Sequence, residues 1–197
     1  MPKIAGTAGA DILIGTVTND SYTINNGGDT ISADPGGLDT VLSFLSFTLS
    51  SGLENLVLLG TGNINANGNN LGNALQGNSG NNILSGGRGN DVLLGGAGAD
   101  TFRFNELGWM HADQILDFNA LEGDRIVLTS AITGLAAGTP LAYSVNSAGK
   151  DRTPGIVRQP GGTGLAFDPD GNGPAKAILF ATVSPFAVLD ARSFAIV

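Results

Sequence analysis

The chain has 197 residues, with 17 acids against nine Lys and Arg and a net charge of −8. Its length fits one domain or two small ones, and its acidity argues against nucleic acid and suits a hard cation. A hydrophobic content of 42% excludes a disordered tail, 31 Gly without a triplet period exclude collagen, and the lack of Cys excludes disulfides and thiolate metal sites.

Residues 1–42 carry a worn nine-residue period. Units GTAGADILI from Gly6, GTVTNDSYT from Gly15 and INNGGDTIS from Ile24 are followed by one extra residue, Ala33, and then DPGGLDTVL from Asp34. An acid holds each sixth place (Asp11, Asp20, Asp29, Asp39) and a large apolar residue each eighth (Leu13, Tyr22, Ile31, Val41). Their glycines are incomplete. Met1-Pro2-Lys3-Ile4 runs straight into Ala5-Gly6-Thr7, so no cleavable secretory signal is expected. No apolar run approaches a membrane span.

Residues 43–67 lose the Gly-Asp pattern. Phe44, Leu45 and Phe47, then Leu56 to Leu59, form short apolar runs between Ser-Gly and Gly-Thr-Gly turns. They are expected as strands that continue the stack without metal.

Over residues 68–103 the period is unbroken: GNNLGNALQ, GNSGNNILS, GGRGNDVLL, GGAGADTFR. Sixth places hold Asn73, Asn82, Asp91 and Asp100; eighth places hold Leu75, Leu84, Leu93 and Phe102. One unit cannot bury its apolar residue alone, so a fixed short period specifies a stacked solenoid. The last two units match G-G-x-G-x-D-x-U-x, a calcium-binding β-roll repeat. They resemble the repeats of the RTX family of secreted bacterial proteins, and Leu53-Glu54-Asn55-Leu56-Val57-Leu58 through Asn65 looks like a segment common in its long members.

The resemblance implies an all-β chain: a right-handed parallel β-roll, a two-sheet solenoid of nonapeptides, closed by a C-terminal antiparallel cap over 104–197. It also implies several Ca²⁺ ions. Their expected ligands are Gly86, Gly87, Arg88, Gly89, Asn90 and Asp91 in one loop, and Gly95, Gly96, Ala97, Gly98, Ala99 and Asp100 in the next. Gly77 and Asn82 face the second loop from upstream. Alternate units share an edge, so each ion lies between loops eighteen residues apart, and an Asn in place of Asp should weaken a site. The competing reading is a metal-free solenoid in which Asn and Asp ladder within the turns.

Beyond Phe104 the period ends. Asp113-Gln114-Ile115-Leu116-Asp117-Phe118 and Gly123-Asp124-Arg125-Ile126-Val127-Leu128 resemble the C-terminal domain of serralysin-type metalloproteases. That resemblance brings Asp113 and Asp117 toward the downstream sides of Asp91 and Asp100 as further ligands. Residues 106–112 read as a short helix, and the rest as antiparallel strands. Asp168-Pro169-Asp170-Gly171-Asn172-Gly173 opens like an EF-hand loop, but Leu179 stands where Glu is needed, which favours a hairpin turn. His111 is the sole histidine and no H-E-x-x-H occurs, so no enzyme is expected. Trp109 is the sole Trp, leaving no aromatic stripe for sugars.

The end, Asp190-Ala191-Arg192-Ser193-Phe194-Ala195-Ile196-Val197, resembles the uncleaved signal of type I secretion substrates. The resulting expectation is a secreted, monomeric calcium-binding protein that folds on calcium after type I export, with extracellular polysaccharide as a further candidate partner. The alternatives are an accessory module of a larger protease, lipase or alginate epimerase, or a carbohydrate-binding module.

Overall fold

A computed structural model describes residues 1–32, 34–107, 112–145, 153–171 and 176–197. Trp109, His111 and most of the helix read at 106–112 lie outside the described residues, as do Asn172 and Gly173.

The nine-residue period places a short strand after each loop. The strands in chain order are β1 (Lys3–Ala5), β2 (Ile12–Leu13), β3 (Ser21–Ile24), β4 (Thr30–Ile31), β5 (Thr40–Ser43), β6 (Phe47–Thr48) and β7 (Asn55–Leu58). They continue as β8 (Ala66–Asn67), β9 (Ala74–Gln76), β10 (Ile83–Ser85), β11 (Val92–Leu94), β12 (Thr101–Phe104), β13 (Asp113–Ile115) and β14 (Arg125–Leu128). Odd-numbered strands stack in one parallel sheet and even-numbered strands on the opposite face, in a six-stranded and a two-stranded piece. Two consecutive units therefore make one turn of a flattened coil. This is a parallel β-roll.

The eighth-place residues meet between the faces. Tyr22, Val41, Leu56, Leu84, Leu93 and Phe102 are wholly buried, and Leu75 nearly so. Ile115 and Ile126 extend the same row into the cap. Burying each such side chain is worth roughly 1.5–3 kcal/mol, which accounts for an apolar residue in every unit.

The sequence period stops at Phe104, yet the coil does not. Val92 pairs with Gln114 and Leu93 with Ile115, while Thr101 to Phe104 pair in parallel with Arg125 to Leu128. These turns span 22 and 24 residues instead of 18, and strand register holds across them. A four-residue helix, α1 (Ser130–Thr133), then leads to β15 (Ala142–Val145), β16 (Gly155–Arg158), β17 (Gly164–Asp168), β18 (Ile178–Val183) and β19 (Phe194–Ile196). β16–β17 and β17–β18 are antiparallel, the latter flanking the Asp168 turn. The cap is thus mixed, since β18 and β19 join the roll in parallel through β13 and β14.

Candidate metal centre

Loops eighteen residues apart stack backbone on backbone. A Cβ on Gly77 would lie 2.1 Å from the carbonyl oxygen of Gly95, and one on Gly68 the same distance from that of Gly86. Only glycine permits this approach. The sixth-place side chains form a ladder along each edge. Asp91 Oδ1 accepts from the Asn73 N–H (2.7 Å) and Asp100 Oδ1 from the Asn82 N–H (2.8 Å). The Asp91 N–H donates in turn to Asp113 Oδ1 (3.1 Å), and the Asp100 N–H to Asp124 Oδ1 (2.8 Å).

Two kinds of loop share this plan. In the first, the second-place N–H closes on the sixth-place side chain: Thr7 on Asp11, Thr16 on Asp20, Asn25 on Asp29, Asn69 on Asn73 and Asn78 on Asn82, at 2.6–3.2 Å. Both Asn side chains also use their nitrogens. Asn73 Nδ2 donates to the Leu53 and Glu54 carbonyls, and Asn82 Nδ2 to that of Ile64 (2.7 Å). The two Asn loops thereby satisfy their own sixth-place side chains. Burial alone would raise the Asp29 carboxyl, but N–H donors from Asn25, Asn26 and Asp11 outweigh it and hold it below the ordinary value.

The second kind is the Gly-Gly loop. Gly87 and Gly96 take φ of +94°, and Gly89 and Gly98 take +115° and +112°, all conformations that favour glycine. Gly80, at the same place as Gly98 but in an Asn loop, does not. The Gly96 N–H therefore turns away from its own acid and donates to Asp117 Oδ2 (2.8 Å), while the Gly95 N–H donates to Asp117 Oδ1 (2.9 Å). Asp100 Oδ2 is left buried without a hydrogen-bond partner, tucked against Gly95. Burial first, then the charges of Asp124, Asp117 and Glu122, push the Asp100 carboxyl up to about 6. On the other edge, burial and the neighbouring charge of Asp91 push Asp113 strongly upward. Among the described residues the only ion pair is Arg88–Glu106 (3.3 Å), at the surface. That pair involves neither of the two buried edges.

That is the demand a calcium ion meets: oxygen donors, some anionic, gathered at loop edges that no described ion pair reaches. The donors at hand are Asp91 with Asp113 and Asp100 with Asp124, beside the loop backbones of Gly86–Asn90 and Gly95–Ala99. Other expected ligands use side chains or N–H groups in contacts of their own, and it is their carbonyl oxygens that a loop would offer an ion. Arg88 reaches out to Glu106, Asn90 Oδ1 accepts from the Ala112 N–H (3.2 Å), and the Ala99 N–H donates to Asn81 Oδ1 (2.9 Å). Ala97 is an exposed third-place residue.

Asp124, rather than Asp117, lies beneath Asp100. It is buried, it also accepts from the Asn119 N–H (2.8 Å), and it was absent from the ligands expected from sequence. The available signal was the acid-x-apolar triplet, since Asp124-Arg125-Ile126 repeats the Asp100-Thr101-Phe102 pattern. Glu54-Asn55-Leu56 carries the same signal, and Glu54 Oε2 accepts from the Asp39 N–H (2.9 Å).

Comparison with known proteins matches residues 67–102 to the RTX calcium-binding nonapeptide repeat, in four copies. No curated protein matches the chain. Among solved structures it is similar to the solution structure of the AlgE6R3 subunit from the Azotobacter vinelandii mannuronan C5-epimerase. That match has 22% identity and a TM-score of 0.38, and covers 94% of this chain and 79% of the other. Residues 67–102 are thus four RTX nonapeptides that bind Ca²⁺ at several sites, set within a continuous parallel β-roll.

Proposed function

We propose that this β-roll is a calcium-triggered folding device, extended where calcium is scarce and folded outside the cell after type I export. The observation that carries the reading is Asp100: a buried carboxylate oxygen without a partner, on an edge where Asp124, Asp117 and Glu122 add only negative charge. Without a counterion such an edge opposes its own stacking; an ion held between Asp100 and Asp124, and another between Asp91 and Asp113, removes the opposition. Extracellular modules of this chemistry bind in the ~10⁻⁴–10⁻³ M range, which suits a switch thrown on export.

The C-terminal segment fits the same order of events. Phe194 and Ile196 are buried in β19 against β14, and Asp190 caps the turn at Ala191–Ser193. A transporter that reads residues 190–197 must do so before the roll closes. No described helix is long and apolar enough to cross a membrane. The protein acts by binding and folding, without catalysis of its own, as a monomer whose outer faces are available to an extracellular polymer.

Circular dichroism in EGTA should show a largely unfolded repeat region, and added calcium should produce β-structure cooperatively. A full thermal transition in EGTA, unchanged by calcium, would overturn the reading. Export is tested separately, by scrambling residues 190–197 in a strain with a type I transporter. Normal release of the scrambled chain would reduce this segment to a strand.

A further inference from the structure

The worn N-terminal repeats contain a second acidic centre, built differently. Asp34, the first-place residue of the fourth unit, lies on the edge where sixth-place Asp20 and Asp39 stack. One carboxylate oxygen from each of the three lies within 4.8 Å of the others. Asp20 and Asp39 are wholly buried. Asp20 Oδ2 accepts from the Thr16 N–H (2.6 Å) and hydroxyl (2.9 Å), and Asp39 Oδ1 from the Asp20 N–H (2.6 Å). The remaining oxygens, Asp20 Oδ1 and Asp39 Oδ2, are buried without a hydrogen-bond partner.

Asp34 is held in place from two sides. Its Oδ1 accepts from the Gly36 N–H (2.8 Å), and its Oδ2 from the hydroxyl of Tyr22, itself buried. Gly15 makes room for that pair, because a Cβ there would collide with both the Tyr22 hydroxyl and Asp34 Oδ2. Glu54 closes the downstream side through the Asp39 N–H. No described Lys or Arg pairs with any of these acids.

We propose that Asp20, Asp34 and Asp39 form a calcium site of their own, outside the four repeats at 67–102. Three carboxylates, two with buried oxygens lacking a donor, are costly to gather unless a divalent cation binds between them. All-oxygen donors from an irregular turn suit calcium, which tolerates uneven geometry, better than magnesium, which demands a near-ideal octahedron. The site owes nothing to the Gly-Gly framework. Its third carboxylate comes from a first-place residue, Asp34, and its neighbour is a tyrosine.

That tyrosine supplies a local readout. Calcium per chain is counted by native mass spectrometry on wild type, Asp34→Asn and Tyr22→Phe. Terbium replaces calcium for luminescence, excited through tyrosine in a Trp109→Phe background. Asp34→Asn should bind one calcium fewer and lose the Tyr22-sensitised emission; Tyr22→Phe should keep the full count and lose that emission. Asp91 and Asp100 are untouched in both, so their ions report separately on the repeats. An Asp34→Asn chain that folds, keeps the wild-type count and emits normally overturns the proposal, leaving the three acids to share protons. If Asp34→Asn fails to fold in saturating calcium, Tyr22→Phe decides alone: lost emission at full count supports the site, and unchanged emission overturns it.

Discussion

The Asn loops and the Gly-Gly loops sit one above the other on the same edges, with strands in the same register, yet they solve opposite problems. At Asn73 and Asn82 the amide oxygen takes the loop's own N–H and the amide nitrogen takes carbonyls one turn upstream. At Asp100 the loop's N–H has turned away, and a buried carboxylate oxygen is left without a donor. The same contrast appears in titration. Asp29, held by three N–H groups, lies below the ordinary carboxyl value, whereas Asp100 is pushed up to about 6. A solenoid turn can be closed by an amide or by a cation, and the second-place residue helps decide which. Asn or Thr there folds its N–H onto the sixth-place side chain; Gly96, at φ of +94°, releases it.

The sharpest break of this comparison removes charge from the Gly-Gly loops. Asp91→Asn or Asp100→Asn should raise the calcium midpoint for folding about tenfold or more, since each removes a carboxylate from an ion with few anionic ligands. Asp11→Asn, in a loop closed by Thr7, should move it less than about twofold. Calcium titrations followed by circular dichroism give all three midpoints. Equal shifts at Asp11 and Asp100 would mean that loop closure by an N–H has no bearing on metal binding.

The reverse experiment converts one kind of loop into the other. Asn78→Gly with Asn82→Asp turns the Gly77–Asn82 loop into a full Gly-Gly-x-Gly-x-Asp framework directly above Gly95–Asp100. The double variant should bind calcium more tightly, lowering the midpoint by roughly threefold through added ligand charge. Asn82→Asp alone should gain less, because the Asn78 N–H still closes on the new carboxylate. If the single and double variants coincide, backbone conformation at the second place is irrelevant.

Much of this was legible in the sequence, for a physical reason: a nine-residue period writes its core directly. Leu75, Leu84, Leu93 and Phe102 were identifiable at the eighth place and are all buried there. The parallel β-roll and its Gly-Gly calcium repeats follow from the same count. Asp124 was not legible, because its turn is 24 residues long and its loop, Asn119-Ala120-Leu121-Glu122-Gly123-Asp124, lacks the glycine framework. Asp34 stands at a first place, where the repeat calls for glycine, so a count of sixth-place acids passes over it. The Asn residues read as weaker metal ligands. Which carbonyls their nitrogens reach depends on the turn stacked above, which no local pattern records.

Protons should partly replace calcium in the Gly-Gly loops. An acid whose folded-state pKa lies above its unfolded value binds protons more tightly when folded. Its stabilising contribution is therefore present at low pH and lost as pH rises through the folded value. Asp100, raised to about 6, and Asp113, raised further, place that loss from weakly acidic pH upward. In EGTA the roll should show more β-structure at pH 5 than at pH 7.5. In calcium the trend reverses, because protons compete for the ligands and the calcium midpoint rises as pH falls. An ion-free chain equally disordered at both pH values would show that buried acids are not what keeps it open.

The smallest expected effect tests the closed loops themselves. Asn73 is 2% exposed, and its side chain serves the Asn69 N–H on one side and the Leu53 and Glu54 carbonyls on the other. Asn73→Ala strands those buried groups, which should cost about 1–3 kcal/mol of stability, read from urea unfolding at saturating calcium. The number of bound ions should not change, because this amide stands where no ion is needed. A lower ion count in Asn73→Ala, with stability otherwise preserved, would make Asn73 a ligand. The line between the two kinds of loop would then have to be drawn upstream of it.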